Sequence, residues 1–407
     1  MSILSRLSGA AFGMHFADQT ALVAVPLVAL LSFGASPEVI GLLVACQSTA
    51  HLLGSLPFGI MVDQFQLRRL ALAAALISLS GFGMALAGVL AGAVVVFGLA
   101  ITFAGFGVVL FSLTALSIVP RAVEPAMFAR ANAALDVPRA ICTFAVPLVI
   151  GWIIADIPAW IVFALAIAGA VTALGLALTL PEFEVRPKPA VPVLVRIREG
   201  GRYVTGHHLL RPIALCAVCW NLAFAALLVV LLPVIQGYWR YPPGAFGVAL
   251  SAFGIGAIAG AWVSGRMGGR IAPSVILLFG PGSSALAALG LLGIGTGSPE
   301  AWLYLCFFVL GFGPSMWLVA QNSVRQLVSP PEMLGRVNAV IQTAIYGVRP
   351  LGAMIGGVVA GQAGPQGGLV LVAGAFVMSF AVAGFSDLRN VASFQSLARP
   401  GDRTAVR

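Results

Sequence analysis

Charge is what this sequence has least of. Asp, Glu, Lys and Arg make up 9% of its 407 residues, against a hydrophobic share of 60%. A soluble domain carries roughly 25% charged residues to keep its surface wet, so a water-soluble globular fold is excluded and lipid must be the solvent for much of the chain. Lysine is almost missing: Lys188 stands alone, and arginine supplies the rest of the 22 basic residues that outweigh 13 acids. Long polar segments are missing too. The longest, 181–211, is too short for the soluble domain that a membrane receptor or scaffold would need. Cys46, Cys142, Cys216, Cys219 and Cys306 all lie in apolar stretches, which excludes a disulfide framework. The C-x-x-C of Cys216 and Cys219 has no second pair and no neighbouring histidine, so it reads as two small lipid-compatible residues and no metal is expected. With four histidines, no H-E-x-x-H, no G-x-S-x-G, no phosphate-cradling loop and no acidic pair at catalytic spacing in one helix, neither an enzyme nor a cofactor is expected. Arg6 precedes a long apolar run without a small-residue cleavage site, so no cleaved signal is expected.

What the chain does have is apolar runs of spanning length, about 20 residues each. Six lie between Leu7 and Leu180 and six between Pro212 and Phe385. The expected fold is an all-α membrane protein of twelve transmembrane helices, arranged as two six-helix bundles, 1–180 and 212–388. A linker, 181–211, joins them and a basic tail, 389–407, follows. The linker opens with the proline-broken PEFEVRPKPAVP and continues as VLVRIREGGRYVTGHHLL. Leu194, Ile197 and Val204 fall on one side and Arg196, Arg198 and Arg202 elsewhere, which suits an amphipathic helix on an anionic membrane face. The adjacent Gly200 and Gly201 weaken such a helix, so a plain tether stands equally beside it. With the N-terminus in the cytoplasm, all but three of the 22 basic residues fall on cytoplasmic segments; Arg240 lies outside, and Arg139 and Arg349 lie within helices. Positive charge therefore predicts both termini in the cytoplasm of a multi-pass plasma-membrane protein. The net charge of +9 is thus spent on topology, and nucleic acid is not an expected partner.

The chain also repeats itself. A shift of 206 residues places Gly105-Phe106-Gly107 on Gly311-Phe312-Gly313, Ser117 on Ser323, Met127 on Met333, and Arg130-x-Asn132-Ala133 on Arg336-x-Asn338-Ala339. The register also holds from Gly41 to Gly247, Gly54 to Gly260, Gly59 to Gly265 and Gly151 to Gly357. An even number of helices per copy makes the repeats parallel, related about an axis along the membrane normal. Two such bundles are expected to leave a chamber at the midplane and to expose it to alternate sides by rocking.

The second run ends in Gly59-Ile-Met-Val-Asp63-Gln-Phe-Gln-Leu-Arg68-Arg69. This resembles the signature loop of the major facilitator superfamily, with the Gly, the Asp and the basic pair in place, Gln64 for its first basic residue and Gln66 for its second glycine. The resemblance implies that Gly59, Asp63, Arg68 and Arg69 form a conformational-switch loop in which Asp63 stabilises the outward-facing state. The second copy, Gly265 to Arg270, lacks the Asp. The Arg-x-Asn-Ala repeats, REGGRYV and Arg349-Pro350-Leu351-Gly352 look like the exporter branch that includes the enterobactin exporter and macrolide-efflux proteins. That branch implies efflux of a small amphipathic or anionic organic molecule, siderophore-like or drug-like. The fourth run, Ala93 to Val119, carries no charge, so the arginine-centred antiport motif of many drug exporters does not transfer.

A charge at the centre of a membrane helix costs roughly 2.5–3.5 kcal/mol on insertion scales, so each one needs a reason. Asp18 lies midway along the first run, with His15 one turn before it; Gln47 and His51 share a face of the second. Asp18, His15 and His51 are the candidates for proton coupling, against the reading of Asp18 as a hydrogen-bonded packing residue. Asp136 and Arg139, at i, i+3, form either a substrate contact or a self-compensating structural pair. Arg349 has no acid within a turn. It calls for a partner on another helix, a watery cavity or an anionic substrate, and a carboxylate or catecholate would meet Arg349 and Arg139. Asn221, Gln342 and Gln47 complete the cavity candidates, while Arg130 and Arg336 read as structural. The chain is expected to act as a monomer on a small molecule, with protons as the coupling ion. An uptake symporter or a lipid flippase on the same fold stays open.

Overall fold

The computed structural model describes residues 2–123, 128–153, 157–158, 160–183, 193–267 and 270–397. Side chains at 56, 63, 120, 128–130, 132–133, 136, 151–153, 193–197, 267, 331–332 and 396 lie outside the description. The described residues form helices and turns without a strand. The helices are α1 (Ile3–Leu31), α2 (Pro37–Gln64), α3 (Leu67–Leu90), α4 (Val94–Ala122), α5 (Phe128–Ile153) and α6 (Trp160–Leu178). After the short α7 (Val193–Gly206) come α8 (Leu210–Pro233), α9 (Gly244–Met267), α10 (Pro273–Leu292), α11 (Glu300–Val328), α12 (Pro331–Gly384) and a final turn, α13 (Phe394–Leu397).

Among the described residues nine segments are long and apolar enough to cross a bilayer. One of them, Met333–Gly384, has 52 residues, length enough for two crossings at 1.5 Å per residue. It is interrupted at Gly364, whose φ of 76° and ψ of 171° only glycine adopts readily, followed by Pro365, so α12 is two spans. With α2, 28 residues long, and the apolar stretch Val137–Ile150 of α5, the twelve expected spans are present.

The chain divides into two compact units, Met1–Ala190 with Pro243–Ser251, and Val191–Pro242 with Ala252–Arg407. In the first, α1 packs on α2, α4, α5 and α6, and α3 packs on α4 and α6. Lipid tails are as apolar as leucine, so close backbone contact has to supply the attraction between helices. A Cβ on Gly13 of α1 or on Gly169 of α6 would stand 2.6 Å from the other's carbonyl oxygen, which is why both are glycine. In the second unit Gly352 and Gly356 of α12 do the same against Leu222 and Ala226 of α8.

The sequence repeat is a repeat of contacts. Gly105 lies against Ala50 and the carbonyl of Gln47; Gly311, 206 residues on, lies against Ala257 and the carbonyl of Phe253. Gly54 meets Phe106 as Gly260 meets Phe312. Gly107 fits against Ala74 and Ser78, and Gly313 against Gly280 and Ser283. Identical residues recur at this offset because the same two helix crossings are built twice.

The described part of the linker that forms α7 is docked on α11 and α12. Glu199 Oε2 pairs with Arg336 Nη1 at 2.7 Å, and the Tyr203 hydroxyl donates to the Val328 carbonyl at 2.9 Å. Val204 is buried in one cluster with Leu209, Ile213, Val324 and Val337. Gly200 comes so close to α12 that a Cβ would meet the Arg336 carbonyl oxygen at 2.7 Å, whereas Gly201 faces open space.

Candidate functional site

The best-defined intramembrane polar contact lies in the second unit. Asn221 of α8 is buried and donates from Nδ2 to the Ala217 carbonyl one turn back, at 2.9 Å. Its Oδ1 is thereby turned outward from α8 and accepts from Arg349 Nε of α12 at 2.9 Å. The half-buried guanidinium also lies over the Tyr346 ring, 5.8 Å from the centroid, a cation–π contact from its own helix. The close α8–α12 approach at Gly352 sets this geometry, because it brings Asn221 within reach three residues earlier on α12. Gln342, two turns before Arg349, is exposed. Beside Asn221 an aromatic row begins: Trp220 stacks on Phe224 at 5.0 Å, and Phe224 meets Phe253 of α9 at 5.0 Å. The Trp220 indole N–H is satisfied by Ser284 Oγ at 3.0 Å.

In the first unit His15 and Asp18 lie on α1 and Gln47 and His51 on α2, two helices in contact, and all four side chains are half-buried. His15, Asp18 and His51 each engage a neighbour. Asp18 also lies within electrostatic reach of Cys142 on α5. The α1–α5 contact is pinned by Ser8 Oγ donating to the Ala134 carbonyl at 2.7 Å. Arg139 is exposed on α5 and is likewise engaged. The Asp136 side chain lies outside the described residues, as does that of Asp63.

The signature loop resolves into separate duties. Gln66, in the place of a glycine, caps α3 by accepting from the Arg69 backbone N–H at 2.8 Å. Arg68 reaches the end of α6, donating from Nη2 to the Leu178 carbonyl at 3.0 Å, with Glu182 at 3.8 Å. Arg6 joins it there, donating to the Thr179 carbonyl at 2.7 Å. Two cations thus satisfy the orphan carbonyls of one helix C-terminus, where the dipole favours positive charge. Arg69 is exposed, and a Cβ on Gly59 would meet open space, so packing within the unit does not demand glycine there.

Sequence reasoning missed a second buried cation. Arg325, counted above among the loop arginines, lies inside α11 with 9% exposure, bonded through Nη2 to Asn322 Oδ1. Gln321, Arg325 and Ser329 follow each other at i, i+4 and i+8 and are all buried, and among the described residues Gln321 Oε1, Arg325 Nε and Ser329 Oγ find no hydrogen-bond partner. The cue was the spacing of these polar residues on one face, continuing past Ser323 where the apolar run seemed to end.

Apolar helices of spanning length that carry guanidinium, amide and carboxylate groups in their interior define a multi-pass membrane protein. The chain belongs to the major facilitator superfamily: residues 7–353 match the profile described as Major Facilitator Superfamily. Among curated relatives, the enterobactin exporter EntS of Salmonella typhimurium is 28% identical over 180 residues, 44% of this chain and 42% of that protein. EntS of Escherichia coli is 27% identical over the same shares. The chain thus spans about two-fifths of the length of the curated relatives it matches (42%). Solved structures with the same fold include the nucleoside transporter NupG, with a TM-score of 0.78 at 12% identity over 98% of this chain and 100% of that one. A peptide transporter of the POT type gives 0.77 at 14% identity over 96% and 95%. A bacterial homologue of the human lysosomal transporter Spinster gives 0.67 at 16% over 97% and 96%.

Proposed function

We propose that this transporter exports a small amphipathic or anionic organic molecule from the cytoplasm across the plasma membrane, driven by proton entry through Asp18. The observation that carries the reading is the Arg349–Asn221 pair, a cation fixed within the apolar body of the second unit by a neutral partner. The amide orients the guanidinium through Nε, and a guanidinium held among apolar helices is suited to fork an anionic group such as a carboxylate or catecholate. The aromatic row from Trp220 to Phe253 offers such a molecule an apolar surface beside that charge. The similarity to EntS, which is named an enterobactin exporter, supports the outward direction. Asp18, half-buried on α1, is the group that takes and releases the proton, and His15 on α1 and His51 on the adjoining α2 tune it, while Gln47 faces substrate. Arg139, Asp136 and Gln342 are further substrate contacts. Arg68, Arg69, Gly59 and Asp63 belong to the switch loop at the cytoplasmic face, both termini are cytoplasmic, and one chain suffices.

Accumulation assays with siderophore, macrolide and dye substrates in a strain stripped of its own pumps test the reading. Lowered accumulation of at least one anionic aromatic compound, lost in Arg349→Ala, is expected. Uptake of such a compound into cells instead, or outward movement of fluorescent phospholipid in proteoliposomes with no soluble substrate, would replace it with the symporter or the flippase.

A further inference from the structure

At the end of α9 Trp262 and Arg266 stand one turn apart, and the guanidinium lies over the indole, 4.0 Å from the ring centroid. Trp262 is 60% exposed, and Arg266 and Arg270 are exposed as well. The backbone N–H of Ser274 donates to the Val391 carbonyl at 3.0 Å, which ties the short turn Asp387–Asn390 to the start of α10. Arg389, also exposed, is thereby brought to the same corner, and Phe385, 88% exposed, precedes that turn at the end of α12. Among the described residues none of these three guanidinium groups has an ion-pair partner; the acid nearest in sequence is Asp387, itself exposed.

Exposed aromatic side chains and exposed cations at one corner make opposite demands. Water around a loop would disfavour Trp262 and Phe385, and lipid tails would disfavour the arginines. The headgroup layer suits both, since amphipathic rings settle there and phosphates face the cations. A guanidinium stacked on an indole has its flat face covered and its in-plane N–H donors directed outward, the geometry that forks a phosphate. We infer that Trp262, Arg266, Arg270 and Arg389 form a binding site for the phosphodiester headgroup of an anionic phospholipid, with Phe385 seated among the upper acyl carbons. The site is independent of what the protein transports and requires only that the chain spans a bilayer.

Quenching of tryptophan fluorescence tests it on the full chain, reconstituted into phosphatidylcholine vesicles that contain either brominated phosphatidylglycerol or brominated phosphatidylcholine. The Trp262 contribution is the difference from Trp262→Phe. Stronger quenching by the anionic lipid is expected. Its apparent affinity should fall by about fivefold for each arginine removed in Arg266→Gln, Arg270→Gln and Arg389→Gln. Equal quenching by the two lipids in the wild-type protein overturns the proposal without reference to any variant. So does a preference that survives the triple substitution, and displacement by millimolar inorganic phosphate would make it a site for soluble anions rather than lipid.

Discussion

Arg349 and Asn221 meet across 2.9 Å, Nε to Oδ1, on two helices whose backbones are pressed together by Gly352 and Gly356. The contact cannot be lost quietly, because the amide is buried and its other end is committed to Ala217. A hydrogen bond to a charged group contributes about 1.5–3 kcal/mol, and more is at stake when a buried partner is orphaned. Asn221→Leu is therefore expected to lower the melting temperature and to reduce transport efficiency roughly tenfold or more. Arg349→Lys should retain the charge but lose the planar geometry, with a smaller effect on stability than on transport. A double-mutant cycle on thermal unfolding checks the coupling, and additive effects would show that the pair does not act as one.

For Asp18 the expected outcome is a split between assembly and energy coupling. Asp18→Asn keeps the shape and removes the titration, so protein abundance should be unchanged while efflux driven by an imposed pH gradient disappears. Exchange of substrate at equal concentration on both sides should continue. Full retention of gradient-driven efflux in proteoliposomes would take Asp18 out of the mechanism and leave it a packing residue.

The spans were legible because a helix in lipid has to be apolar over its whole length, a signal that needs no periodicity. The repeat was legible in part for a sharper reason: Gly105, Gly107 and their copies Gly311 and Gly313 sit where two helices touch, and no larger side chain fits at those four positions. Partners across the fold were not legible. Nothing in Arg68 announces that it will cap α6, because the carbonyl of Leu178 has no sequence signature. Arg325 looked like a loop cation because hydropathy ends near Ser323 while the helix runs on to Val328. Gly200 and Gly201 looked like helix breakers, since propensity counts glycine as a cost and cannot see the neighbour that requires one.

Arg68 and Arg6 make a local prediction. Both donate to carbonyls at the α6 C-terminus, so Arg6→Ala and Arg68→Ala should each destabilise by about 1 kcal/mol, and the double variant by more than the sum if one cation covers for the other. Glu182 is largely exposed, and Glu182→Gln should leave unfolding almost unchanged. Thermal unfolding in a mild detergent gives all four values under one condition.

Tyr241, in the loop before α9, donates its hydroxyl to the Ser298 carbonyl at 2.7 Å. Burial and then the Glu300 carboxylate push its phenol above the ordinary value of 10.0. A group whose neutral form is favoured by folding binds its proton more tightly in the folded state. Its stabilisation is complete below the unfolded value and lost as pH rises through the folded one. Wild-type protein should therefore lose thermal stability above about pH 10 more steeply than Tyr241→Phe, which has no proton to give up. Parallel pH profiles for the two proteins would remove the hydroxyl from the account.

The adjacent glycines of α7 give the most discriminating test of the docked linker, since the same substitution should have opposite signs at neighbouring positions. In an open helix Gly→Ala stabilises by about 1 kcal/mol through the lost backbone freedom of the unfolded chain. Gly201 faces open space, so Gly201→Ala should raise the melting temperature slightly or leave it unchanged. At Gly200 the new methyl group would stand 2.7 Å from the Arg336 carbonyl oxygen, and backbone on both sides gives way poorly. Gly200→Ala should push α7 off α12, break the Glu199–Arg336 pair and the Tyr203–Val328 hydrogen bond, and expose the linker to protease. Glu199→Gln should weaken the same contact without a clash, giving intermediate cleavage. If Gly200→Ala and Gly201→Ala behave alike under limited proteolysis, α7 does not dock as described, and the linker returns to being a tether.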